Sequence, residues 1–195
     1  VGGAGGGGQA TDAQIFPFAS LDRFVPTQFS IRIATETWEL AGCRALRRSV
    51  FCDEQNLFAR DDRDAIDDIA ITLAAISWVA VAPDQVVGTV RIHESEPGIW
   101  FGSRLAVDRA CRRVGGIGTE LIRLAVGTAH ARGARAFFAH VQQANVKLFQ
   151  SLHWRSLESV SLHGHPHDLM RADLAHYPPH HAGDISLLRP LKAAA

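Results

Sequence analysis

Arg112-Arg113-Val114-Gly115-Gly116-Ile117-Gly118-Thr119 decides how this chain is read. The run follows an extended apolar segment, Trp100 to Val107, and opens a long amphipathic one, Thr119 to His130. Glycines between a strand and a helix let the backbone turn sharply and bring several N–H groups close to a ligand. A helix N-terminus adds roughly half a positive charge, so the expected guest is an anion, most often a phosphate. Arg112 and Arg113 at the mouth can pair with the same anion. Two common phosphate motifs do not fit. A P-loop ends in Gly-Lys-Ser/Thr, and no lysine precedes Thr119. The dinucleotide fingerprint needs three spaced glycines in an early βαβ unit, and neither spacing nor context agrees.

Composition sets the outer limits. The chain has 195 residues, 47% of them apolar, enough for one good core and most simply one domain. Twenty basic and twenty acidic residues cancel, which argues against non-specific nucleic-acid binding. Cys43, Cys52 and Cys111 are too few and scattered for a disulfide framework, and no CxxC pair suggests zinc. Ala70 to Val81 is the most apolar stretch, well short of the about 18 residues of a spanning helix. No basic region followed by an apolar core opens the sequence, so no signal peptide is expected and the cytoplasm is the expected address.

Periodicity organises the rest. Residues 1–27 begin with a glycine run that nothing flanks as strand or helix, and read as a flexible leader. Gln28 to Ile33 alternates and suggests a strand. Trp38 to Cys52 carries Leu40, Cys43, Leu46 and Val50 at helical spacing. Leu73 to Ala82 and Val86 to His93 read as strands joined by a turn at Pro83-Asp84-Gln85. Trp100 to Val107 is a fourth strand, Thr119 to Arg132 a helix closed by Gly133, and Ala134 to Val141 a central fifth strand. Asn145 to Leu152 is a short helix. Ser156 to Leu162 and Leu169 to Leu174 form a final hairpin, tipped by His163-Gly164-His165-Pro166-His167. Residues 176–195 read as a turn-rich tail in which Ile185 to Pro190 docks as an extended segment.

The spacing Arg113-x-x-Gly116-x-Gly118 resembles the pyrophosphate loop of the GNAT superfamily, the GCN5-related N-acetyltransferases. Arg104-Leu105-Ala106-Val107-Asp108 stands where that family has its splayed central strand, and the element order agrees over roughly residues 28 to 175. The resemblance implies an α/β (α+β) GNAT fold, a mixed sheet of roughly six to seven strands flanked by about four helices. It implies acetyl-CoA as co-substrate, held by Leu105, Ala106, Val107, the loop Arg112, Arg113, Val114, Gly115, Gly116, Ile117, Gly118 and Thr119, and by Asn145 and Phe149. Direct transfer to the amine of a small molecule is the implied activity, with no metal, and the dimers common among relatives imply a homodimer. Val50-Phe51-Cys52-Asp53-Glu54-Gln55 before an acidic segment, with Pro166-His167 later, resembles one GNAT branch. The Cys52 to Gln55 wording and the His180 to Asp184 tail are similar to a narrower bacterial group of N-acetyltransferases, encoded beside a nitrilase and linked to nitrogen starvation.

Acyl transfer needs a base for the amine proton and help for the departing thiolate. The family commonly places a tyrosine in the helix after the fifth strand as acid, and Phe149 stands there instead; the sole tyrosine, Tyr177, is expected beyond the fold core. Either another group serves, the thiolate leaves unaided, or the protein binds CoA as a non-catalytic sensor or scaffold. Glu54 and His140 are the candidate catalytic bases, with His93 beside them; a surface carboxylate or a core histidine is the plainer account of each. Asn145 can contact the CoA chain or cap a helix. For the acceptor, the candidates are Glu54, His167, and Asp67 and Asp68 within an acidic lip attracting a cationic amine; otherwise the lip is a solvated segment. The histidines from 163 to 181 lack a carboxylate-supported ligand pair, so no metal is expected there. Cys52 and Cys111 have no neighbouring base and are not read as nucleophiles. An acyl-homoserine-lactone-type synthase shares the fold but fits the loop less well.

Overall fold

The computed structural model describes residues 28–113, 116–181 and, for the backbone, 185–188. The leader, Val114 and Gly115, and residues 182–184 and 189–195 lie outside the described residues. Among the described residues, eight strands form one mixed sheet: β1 (Gln28–Ile33), β2 (Ile71–Val79), β3 (Ala82–Glu96), β4 (Ile99–Val107), β5 (Ala136–Gln142), β6 (Trp154–Leu162), β7 (His165–Ala172) and β8 (Ile185–Leu188). Their order is β6-β7-β5-β4-β3-β2-β1-β8, with β4 and β5 parallel and every other pair antiparallel. Three α-helices flank it: α1 (Thr37–Arg48), α2 (Ile117–Ala131) and α3 (Val146–Ser151). The mixed, helix-flanked sheet agrees with the sequence reading; the eighth strand is the extended segment near the end, and three α-helices flank the sheet among the described residues.

Alternation along β2 explains the layers. Leu73 and Ala75 pack in the main core with α2, whereas Ala74 and Ile76 pack on the opposite side with Cys43 of α1. With both faces covered, β2 reads as a continuous apolar run rather than an alternating one. α2 sits very close to the sheet at Gly88, where an added Cβ would lie 2.9 Å from both Ile117 Cγ2 and Leu121 Cδ1. Gly88→Val is expected to destabilise the fold by about 1–3 kcal/mol through overpacking, measured by urea denaturation.

Three sequence expectations are corrected in detail. The hairpin between β2 and β3 turns at Ala80-Val81, pairing Val79 with Ala82, so Pro83, Asp84 and Gln85 belong to β3. Ser77 Oγ holds that strand by bonds to Asp84 Oδ2 (3.1 Å) and the Gln85 carbonyl (3.2 Å), which a proline-based turn reading does not anticipate. The last hairpin turns at His163-Gly164, both with positive φ, as a two-residue turn of this hand requires. His165, Pro166 and His167 are therefore strand residues; Pro166 is tolerated because pairing between β5 and β7 stops at His167. Finally, the first helix ends as α-helix at Arg48 and continues as wider π-helical turns, Ser49–Glu54.

Tyr177 is a fourth correction. It lies in the main core, 4% exposed, not beyond it. Its hydroxyl donates to the Leu152 carbonyl and accepts from Trp154 Nε1 (2.9 Å). The following segment is clamped on α2, where His180 N donates to the Gly127 carbonyl at 2.9 Å.

Candidate functional site

Parallel pairing of β4 with β5 covers only Ile99 to Gly102 against Ala136 to Ala139. Beyond it the strands part, and a bulge marks the place: the β3–β4 register shifts between Thr89 and Arg91, and Arg104 has φ 55°. A non-glycine residue in this region is strained, and such bulges re-aim side chains beside functional sites. A cavity of about 480 Å³ occupies the opening and reaches both faces of the sheet. On the α2 face it meets Ile122, Ala125, Phe137, Val141, Phe149 and Trp154; on the other it meets Phe58, His93, Phe101, His140, His163 and His167.

At the start of α2, Gly116 takes φ 77° and ψ 10° as N-cap and brings no side chain to cap the helix. The first-turn amides of a helix have no intrahelical partner, so this end is suited to an anion. A Cβ placed on Gly116 would meet no atom of the described residues within 4 Å apart from its chain neighbours, which leaves room for a ligand to approach the backbone. Arg112 does not reach into this space: its Nε donates to the Val107 carbonyl (3.0 Å) and its Nη2 to Glu54 Oε2 (2.6 Å). Arg113 is exposed, and Val114 and Gly115 lie outside the described residues. Leu105 lines the cavity, Ala106 points to the α1 side, and Val107 lies 3.7 Å from the Cβ position of Gly118. Ile117 is buried against the sheet, Thr119 half-buried in the first turn. Asn145 lines the cavity at the N-cap position of α3 without making a capping bond, so its amide is not committed to the helix. Phe149 is buried, edge-on to Trp154 at 5.0 Å.

The opposite half is rich in rings. His93, Phe101 and His140, on β3, β4 and β5, form a near-parallel row with centroid separations of 6.0 and 6.3 Å and interplanar angles of 26° and 22°. Burial pushes the His140 imidazole below its usual pKa, helped by the neighbouring His167; burial and the charge of Arg91 do the same to His93. Both therefore favour the neutral ring near pH 7. His167 is buried and donates through Nδ1 to the His165 carbonyl (2.9 Å), which fixes its tautomer. Gln142 Nε2 donates to Gln55 Oε1 (3.0 Å), joining β5 to the end of the π-helical turns. Glu54, next to Gln55, lies on the rim with Arg112 and does not line the cavity.

The acidic segment is not a free lip. Arg47 bridges Asp62 (2.8 Å) and Asp67 (2.5 Å); Arg91 takes Asp64 (2.6 Å) and Asp67 (2.9 Å); Arg104 takes Asp62 (2.9 Å) and Asp64 (3.1 Å). Arg47 and Arg91 are almost wholly buried, so these pairs tie the segment to the sheet. The hydrogen bond from Arg91 holds the Asp64 carboxyl below its usual range. For Asp67 burial alone would raise the pKa, but the bonds from Arg47 and the Asp64 amide outweigh it and keep the carboxylate ionised. Asp67 and Asp68 border a separate pocket beside Arg44, Arg63 and Arg132. Among the described residues no group of three or more His, Cys, Asp or Glu could hold a metal ion.

Sequence reasoning missed the ring row as a unit, Phe58, and the arginines beneath the acidic segment. Phe58 carries the Arg104 guanidinium 4.8 Å from its centroid and meets the His163 ring at 4.9 Å. The alternation of charge between Asp61 and Asp68 and the lone arginines of β3 and β4 were the available signal, but only strand register brings them together.

Comparison with known proteins agrees with this geometry. The family model described as "Acetyltransferase (GNAT) family" matches residues 43–154. No curated protein is matched by the chain. Among solved structures, a proposed N-acetyltransferase from Lactobacillus plantarum superimposes with TM-score 0.65 at 21% identity, over 74% of this chain and 97% of that one. ElaA of Escherichia coli gives 0.62 at 22% identity, over 74% and 98%. An aminoglycoside 6′-N-acetyltransferase complexed with coenzyme A gives 0.57 at 14% identity, over 72% and 94%. At these identities the likeness is one of fold.

Proposed function

The chain belongs to the GNAT acetyltransferase family, and from that premise we propose that it moves an acetyl group from acetyl-CoA to the amine of a small molecule. The observations that carry the reading are the left-handed Gly116 at the start of α2, where an added Cβ would touch none of the described residues other than its chain neighbours, and the gap between β4 and β5. The α2 amides would hold the diphosphate, with Asn145 and Leu105 along the chain toward the gap. Bound acetyl-CoA supplies a thioester carbonyl there. The amine nitrogen forms the new bond to that carbon as the carbon–sulfur bond breaks, and the amine proton passes to a base. His140 is our assignment for it, since it lines the cavity in its neutral form; Glu54 holds Arg112 at the rim and so shapes the loop. The leaving sulfur takes a proton from solvent or from the newly protonated His140. Alignment of two bound reactants supplies much of the rate.

Titration calorimetry with acetyl-CoA, followed by a free-thiol assay against a panel of small amines, tests the reading. Binding with amine-dependent thiol release is the expected result, and no binding would overturn it. His140→Ala is expected to lower kcat/KM about 100-fold while sparing acetyl-CoA affinity. In the unmodified enzyme kcat/KM should hold at neutral pH and fall as pH drops through the lowered His140 pKa, below 6.5. Loss of that acid limb in His140→Ala checks the assignment; an unchanged limb removes His140. Glu54→Gln should alter turnover only a few-fold.

One observation favours a non-catalytic CoA-binding sensor: the sole tyrosine has its hydroxyl bonded on both sides inside the core, so it cannot serve as acid in the cavity. Binding without thiol release from any amine would support that reading. We further place the protein in the cytoplasm, an address supported by three buried free cysteines, and read a homodimer from the habit of relatives. None of the described helices is long and apolar enough to cross a membrane. The Cys52 to Gln55 wording supports membership of the nitrogen-starvation group, tested by whether nitrogen withdrawal raises expression.

A further inference from the structure

Resting on the acetyltransferase reading, we propose that the acceptor is an aromatic monoamine, seated against the His93–Phe101–His140 row and closed in by the Phe58–His163 ring pair. Two independent features of the cavity lead there.

The first is its shape. Three rings from three adjacent strands form a row in which Phe101 is tilted 26° to His93 and 22° to His140, and the row lines the cavity where the acetyl group would arrive. A row of near-parallel rings offers a planar guest offset or edge-on contact at 4.5–7 Å, about the spacing the row itself uses. Phe58, from the segment after the π-helical turns, and His163, from the β6–β7 turn, meet ring to ring over the same cavity. Both rings stand outside the main core, which among the described residues holds Phe137, Phe149 and Trp154; Phe58 is only partly buried, against the small cluster of Leu46, Val50, Phe51 and Ala106.

The second is its charge. Asp64 is the only carboxylate lining the cavity among the described residues, and both its oxygens are taken by Arg91 (2.6 and 2.7 Å), with Arg104 at 3.1 Å. Glu54 at the rim is already paired with Arg112. A guest with several ammonium groups would therefore face two guanidiniums and no unpaired carboxylate. A guest with its own carboxylate would find those guanidiniums occupied by Asp62, Asp64 and Asp67. What remains suited is an uncharged, flat body bearing one amine. That amine reacts as the neutral base: its lone pair forms the N–C bond, its proton goes to His140, and the CoA thiolate leaves.

The test uses the full chain in the thiol-release assay at saturating acetyl-CoA, with 2-phenylethylamine, tryptamine, lysine and spermidine. The aromatic amines should show kcat/KM at least about tenfold above lysine and spermidine. Phe58→Leu keeps an apolar side chain against the small cluster and removes the ring; it should raise KM for 2-phenylethylamine about tenfold without changing acetyl-CoA affinity. Phe58→Tyr should restore KM. If calorimetry shows no acetyl-CoA binding, the acetyltransferase reading fails and the proposal falls with it. If acetyl-CoA binds but spermidine or lysine is preferred, no amine is turned over, or Phe58→Leu leaves KM unchanged, the proposal alone is overturned.

Discussion

Gly116→Trp abolishes acetyl-CoA binding: at least a 100-fold loss of affinity, about 2.7 kcal/mol, is the expected result. The residue caps α2 in the left-handed region, and the space before it is open. Apart from its chain neighbours, an indole there meets none of the described residues at its Cβ; it fills the volume through which a diphosphate would reach the amides. Backbone strain adds about 1–2 kcal/mol to the fold's cost, so the variant should melt several degrees lower yet remain folded. Gly116→Asn separates the two effects, because asparagine tolerates this backbone and carries no bulk that closes the approach. Calorimetry on both variants decides the matter. Unchanged affinity in Gly116→Trp would sink the loop assignment.

Arg47→Ala is expected to destabilise the fold by about 3–5 kcal/mol. Arg47 is 2% exposed and bridges Asp62, equally buried, with Asp67. Removing it takes the buried partner from both carboxylates at once, leaving Asp62 to Arg104 alone and Asp67 to Arg91 alone. Lysine should not rescue, since an ammonium cannot reproduce the two-armed geometry. Urea denaturation checks the value, and a loss under about 1 kcal/mol would show the network to be surface-like. The same network sets acid sensitivity. Asp64 and Asp67 have folded pKa values depressed by their arginine bonds, so their stabilisation is fully present above the unfolded value near 3.8 and is lost as pH falls through the depressed folded values. Stability measured from pH 6 to pH 2 should fall steeply below pH 4, and less steeply once Arg47 is gone.

Local signals were legible where chemistry and geometry coincide within a few residues. The strand–loop–helix run from Trp100 to His130 named its own turn because glycine, helix start and apolar periodicity lie side by side. The strand β1 followed from the alternation of Gln28 to Ile33, and β4 from the extended apolar run Trp100 to Val107. Pro83 and Pro166 misled for one reason: proline was read as a turn former, whereas each stands in a strand where a partner strand leaves its nitrogen unpaired or a serine secures its neighbours. The acidic run looked like a solvated lip because its three arginine partners come from α1, β3 and β4. Likewise His93, Phe101 and His140 are far apart in the chain and become neighbours only through register. Tyr177 escaped because a turn-rich context hides a residue whose burial is decided by Trp154, 23 positions earlier.

That last contact also sets a clock on biosynthesis. Ribosomes add about 5–20 residues per second, so Trp154 emerges roughly 1–5 s before the hydroxyl that receives its indole N–H. Until then the α2–α3 side of the core stands open to chaperones. The nascent chain can pair its strands through β7 before the Tyr177 hydroxyl is there to join Leu152 and Trp154, and a pause placed between the Trp154 and Tyr177 codons is expected to prolong the interval in which it is captured or degraded.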